Sequence, residues 1–125
     1  MDQATLVSPE IDAGSKVISA LDDADFKNLS ALMAIFPEYG DWKLVLSSPS
    51  LDQNDRLKAY EQVFKVLHGK FQYTLPEIMI LPTKDPFIKE LRKVFGKARN
   101  VTGMRLGGQK IGNRFLDNAY VYRIQ

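Results

Sequence analysis

The sequence predicts an α+β fold: one mixed, largely antiparallel sheet of four or five strands with three helices, in the order α-β-β-α-β-α-β-β. Three observations predict it. Segments with apolar residues at helical spacing alternate with short runs that are apolar on one or both strand faces. Capping residues, prolines and glycines stand at the boundaries between them. The 125 residues are 45% apolar and 26% charged, the balance of a chain that folds around a core, here read as a single domain over residues 1–125.

Residues 1–7 read as a flexible lead, and Ser8-Pro9-Glu10 as a helix start. Ser8 is placed to cap the first turn, Pro9 loses nothing at the first helical position, and Glu10 complements the positive helix end. Ile11, Val17, Ile18 and Leu21 form one apolar stripe, interrupted by Gly14, which costs a helix interior about 1 kcal/mol against alanine. Asp22, Asp23 and Asp25 oppose the helix dipole and act as a stop. No glycine follows them at calcium-loop spacing, so the cluster reads as a solvated helix end.

Leu29 to Phe36 is apolar on both faces, the pattern of a strand covered on both sides. Pro37-Glu38-Tyr39-Gly40 turns the chain, and Asp41 to Ser47 returns as the second arm of a hairpin, stopped by Pro49. Trp42, Leu44 and Leu46 lie on one face of it, Lys43 and Val45 on the other.

Asp52 reads as the N-cap of the next helix, with Leu57, Tyr60, Val63, Phe64 and Leu67 facing inward, His68 in its last turn and Gly69 just past its end. Ile78 to Leu81 forms a short buried strand between Pro76 and Pro82. Asp85-Pro86 starts the third helix, with Phe87, Ile88, Leu91, Val94 and Phe95 inward and Gly96 ending it. Gly103 to Leu106 and Ala119 to Ile124 read as the last two strands, joined by a loop containing Gly107-Gly108 and Gly112-Asn113. Tyr120, Tyr122 and Ile124 are placed on one face of the last strand.

Charge is distributed unevenly. Met1 to Val63 holds eleven acids against five bases, a net −6, whereas Phe64 to Gln125 holds twelve bases against four acids, a net +8. Eight bases fall between Lys89 and Arg114. Seven of them make up the candidate binding set: Lys89, Arg92, Lys93, Lys97, Arg105, Lys110 and Arg114, with Arg99 the eighth. Phosphate contact needs long cationic arms on one face and loop N–H groups that glycines leave open. The pattern therefore points to nucleic acid or an acidic protein as partner. The plainer reading is a solvated helix face, since no aromatic interleaving and no RNA-binding signature accompanies the charge.

Two alternatives stand beside it. Asp41-Trp42-Lys43 spells the acid-x-lysine piece of PD-(D/E)xK nucleases, and Asp25 upstream would supply a second carboxylate for a divalent ion. The other is a protein–protein interaction or self-assembling module, a homo-oligomer included. Ser47-Ser48 lies in no nucleophile elbow, and His68 has no nearby His or Cys in sequence. No catalytic residue, metal ligand or cofactor is assigned. The absence of cysteine excludes disulfides, thiolate metal sites and cysteine nucleophiles, and fits a cytoplasmic protein. Neither a membrane span nor a secretory leader is expected.

Several segments resemble those of a family of small uncharacterised bacterial proteins. They are Phe36-Pro37-Glu38, Trp42 to Pro49 (WKLVLSSP), Asp85-Pro86-Phe87, Gly103 to Leu106 (GMRL) and Asp117 to Arg123 (DNAYVYR). The resemblance implies one domain and no assigned activity, and carries no catalytic residues across.

Overall fold

Strand β1, Ser30–Ile35, is buried along its whole length, as its two-faced apolar pattern requires. In the computed structural model, which describes residues 8–52, 55–69, 75–96 and 101–125, it is the middle strand of a five-stranded sheet. The expected flexible lead, residues 1–7, lies outside the described residues. The chain order is α1 (Ser8–Asp23), β1, β2 (Trp42–Ser47), α2 (Pro49–Asp52), α3 (Arg56–Leu67), β3 (Ile78–Ile80), α4 (Pro86–Phe95), β4 (Arg105–Ile111) and β5 (Arg114–Arg123). The sheet order is β3-β2-β1-β5-β4. Among the described residues only β2 and β3 pair in parallel, so the sheet is mixed and largely antiparallel, as expected.

Helices cover both faces. Ala31, Met33 and Ile35 of β1 and Trp42, Leu44 and Leu46 of β2 pack against α1, α2 and α3. Leu32, Ala34, Phe36 and Val45 point the other way, into a core closed by Phe87, Ile88 and Leu91 of α4. The period-2 alternation of these strands thus separates two cores.

Several boundaries differ from expectation. A fourth helix, the single turn α2, occupies Pro49–Asp52. The N-cap of α3 is Asp55, not Asp52, and accepts from the Lys58 backbone N–H at 2.8 Å. Asp52 instead accepts from the backbone and hydroxyl of Thr83, tying α2 to the segment after β3. Leu57 and Phe64 do not face the core: they are 68% and 43% exposed, because α3 seats Ala59, Val63 and Leu67 on the sheet and these two lie off that stripe. Val94 is likewise exposed. Strand β3 is only partly buried because it is the sheet edge, and the Tyr60 hydroxyl takes up its Ile80 N–H at 2.9 Å.

The last hairpin carries the largest correction. Gly107 and Gly108 belong to β4, and the turn is only Gly112-Asn113. Glycine punctuates locally, but here cross-strand pairing outweighs it: Gly107 stands opposite Asn118 and Gln109 opposite Leu116 in one continuous register. The other end of β5 has a bulge. Leu32 faces Val121 but Ala31 faces Arg123, which leaves Tyr122 as the extra residue. One inserted residue shifts the alternation, so Tyr120 and Tyr122 sit in the α1–α3 core while Ile124 falls into the opposite one.

The bulge aims Tyr122 at α1. Its hydroxyl donates to the Ile11 carbonyl at 2.7 Å, and its ring lies over Gly14. A Cβ on Gly14 would lie 2.8 Å from Tyr122 Cζ, so glycine is kept inside a helix because the tyrosine occupies the space. Burial pushes the Tyr122 phenol well above its ordinary value, with Tyr120 and Asp12 adding to the effect. A raised pKa in the fold means that stability is intact below the unfolded value near 10 and falls as pH rises past it, since the unfolded chain then ionises first. Tyr122→Phe is expected to cost about 1 kcal/mol near neutral pH through the lost hydrogen bond. Between pH 9 and pH 11 (about one unit either side of the ordinary tyrosine value), the variant loses less stability than the parent protein. Denaturant midpoints at the two pH values check both statements.

Candidate functional site

Helix α4 positions the clearest group of cations. Asp85 caps it, accepting from the Phe87 backbone N–H at 2.9 Å, and Pro86 opens the first turn. Phe87, Ile88 and Leu91 are buried, which turns Lys89, Arg92 and Lys93 outward on one ridge at steps of three and four. Among the described residues none of the three has an ion-pair partner. Arg92 and Lys93 also lie in the last turn, where cations suit the carbonyl end of the dipole. Lys97 and Arg99 lie outside the described residues.

The β4–β5 hairpin distributes the remaining cations over several surfaces. At its base Leu106 and its partner Ala119 face the α4 core. Near its tip the residues in that core are Ile111 and Leu116, which belong to the other side of the ribbon by strict alternation. The ribbon therefore turns over along its length, the strong coiling open to a two-stranded segment and eased by Gly107-Gly108. Arg105, paired with Tyr120, lies 5.1 Å from that ring on the α1–α3 face of the sheet, away from α4. Lys110 and its cross-strand partner Phe115 are exposed near the tip, on the ribbon side opposite Ile111 and Leu116.

Arg114 is turned inward. It lies 3.7 Å from the Asp85 carboxylate and 5.9 Å from the Phe36 ring centre, and its Nε is buried without a hydrogen-bond partner. Gly112 brings the hairpin tip onto Pro86, so Arg114 and Gly112 together dock the tip on the start of α4. The described members of the candidate set thus divide into the α4 ridge of Lys89, Arg92 and Lys93, the tip residue Lys110, the inward Arg114, and Arg105 on the opposite face.

The acidic residues of the nuclease alternative are not brought together. Asp25 precedes the Ser30 end of β1, while Asp41 precedes Trp42, which pairs with Ile35 at its other end. The length of β1, about 17 Å, lies between these ends. Lys43 pairs with Glu77 and lies 5.2 Å from the Tyr39 ring. Asp22, the first of the acidic cluster, pairs with Arg123. Among the described residues no group of three His, Asp or Glu is placed to hold a metal ion, and none of the helices is long and apolar enough to cross a membrane. Ser48 is fully buried, donating to the Lys27 carbonyl and accepting from the Ser50 N–H, which is a structural role.

Sequence reasoning passed over Phe115. The available signal was the turn itself: taking Gly112-Asn113 as a two-residue hairpin connection places Phe115 opposite Lys110. Comparison of the chain with known protein families, with curated proteins and with solved structures finds no match.

Proposed function

We propose that the protein is a binding module whose partner is nucleic acid, held through the outer ridge of α4. The observation that carries this reading is the ridge itself: Lys89, Arg92 and Lys93 project together from a helix whose other side is locked into the core. A rigid helix presenting three cations offers phosphates a pre-ordered contact, and no carboxylate among the described residues forms an ion pair with them. Binding of this kind releases counterions, so affinity falls steeply with salt.

The variant carrying Arg92→Glu and Lys93→Glu is expected to bind mixed-sequence DNA or RNA at least ~10-fold more weakly at low salt. The slope of log affinity against log salt becomes shallower by about two, one for each phosphate contact removed. Fluorescence anisotropy across a salt series measures both. A wild-type protein that shows no salt-sensitive binding to mixed nucleic acids sinks the proposal.

A second reading, protein–protein association, rests on another surface. Leu57 and Phe64 are exposed on one face of α3, seven residues apart, and Phe64 stacks on Tyr60 with ring centres 6.4 Å apart. An apolar ridge of this kind is a contact surface for another protein. Sedimentation of the pure protein separates self-association from binding to a different partner.

A further inference from the structure

We propose that the β4–β5 hairpin is a stacking platform for the bases of a single-stranded nucleic acid, with Phe115 as the platform and Lys110 as its phosphate contact. This rests on the reading of α4 as a nucleic-acid surface and specifies the class of nucleic acid. Phe115 is 46% exposed although it is a paired residue of the ribbon, one pair in from the tip. The coiling of the ribbon accounts for this, because it commits Ile111 and Leu116 to the α4 core and leaves the side bearing Phe115 without cover.

The ring also has a floor. A Cβ on Gly108 would lie 3.8 Å from Phe115 Cζ, so the ring reaches diagonally across the ribbon to rest over the glycine. Gly108 itself sets no side chain against the ring. A flat apolar ring, supported below and open above, is the element on which a nucleobase stacks.

Charge argues for nucleic acid over an apolar peptide. Arg105 lies on the other face of the sheet and Arg114 is turned inward to Asp85, so the cation on the Phe115 side is Lys110, which stands directly opposite the ring. Asp117 follows toward the sheet body and limits the platform on that side. A duplex keeps its bases stacked on one another and offers this ring nothing, whereas a single strand can place a base on it and a phosphate beside Lys110.

The test uses the full chain at low salt and three labelled probes of about fifteen nucleotides: oligothymidylate, a base-free phosphodeoxyribose strand and a duplex. Oligothymidylate is expected to bind at least about fivefold more tightly than the base-free strand. Phe115→Leu, which keeps an apolar cover over Gly108, is expected to abolish that difference and leave duplex binding unchanged, while Phe115→Tyr retains it. Circular dichroism checks that each variant is folded, and the comparison of oligothymidylate with the base-free strand needs no variant. Equal affinity of the wild type for those two strands, or an unchanged preference in folded Phe115→Leu, overturns the platform and leaves the α4 reading intact. Retention of the platform effect with no loss in Arg92→Glu, Lys93→Glu overturns the α4 reading alone. No binding to any probe overturns both.

Discussion

Phe87→Ala is expected to destabilise the protein by about 3–5 kcal/mol. Phe87 is completely buried, and its ring meets Phe36 edge-on with centroids 5.5 Å apart. It is the first inward side chain of α4 and lies between the helix and the central strand's apolar extension at Phe36. Truncation removes the transfer energy of the ring and opens a cavity among the packed side chains of the α4 core. Proteins of this size are stable by only about 5–15 kcal/mol, so the loss takes a large share of the total. Urea denaturation gives the value. A loss below about 1 kcal/mol would mean that α4 does not rely on this contact. The same variant loosens the seat of Arg114, whose guanidinium lies over the Phe36 ring.

Gly112→Ala is expected to cost about 2–4 kcal/mol, more than a turn glycine usually does. Two effects combine. The residue has φ +59°, where a side chain is strained. A Cβ there would also meet backbone, only 2.8 Å from the Phe87 nitrogen, with the Pro86 carbonyl nearer still. Backbone at the start of a capped helix cannot swing aside as a side chain would. Gly40→Ala is the matched control: φ is +72° but nothing lies within 4 Å, so it has the conformational penalty alone, about 1 kcal/mol. A difference of 1 kcal/mol or more between the two, read from chemical denaturation, measures how firmly the hairpin tip is docked on α4. Equal losses would show the tip to be free of the helix.

These two positions also show what was legible in the chain. The place of Phe87 in an amphipathic helix with an Asp-Pro start puts it in the core, and residues 85 to 95 are enough to show it. Gly112 reads from local sequence only as a turn former. Its close approach to Pro86 joins residues about 26 apart and follows from the way the ribbon coils, which local propensity does not encode. Arg114 falls among the binding cations in sequence for the same reason: its charge is local, but the Asp85 carboxylate and Phe36 ring that hold it inward are not. Leu57 and Phe64 fit a helical apolar stripe, yet the orientation of α3 on the sheet seats the neighbouring stripe instead.

By itself the sequence determined the α+β class, the two-faced central strand, the helix start at Asp85 and the outward cations Lys89, Arg92 and Lys93. Each of these depends on periodicity or capping within one element, where a single turn or pleat sets the geometry. The tertiary structure decided the remainder: that Gly107 and Gly108 are strand, that Gly14 makes room for Tyr122, that Arg105 and Arg114 leave the basic ridge, and that Phe115 is exposed. Each of these depends on register, twist or a bulge. These properties belong to pairs of elements, and a one-residue shift or a half-turn of ribbon reverses which side chains meet the core and which meet a partner.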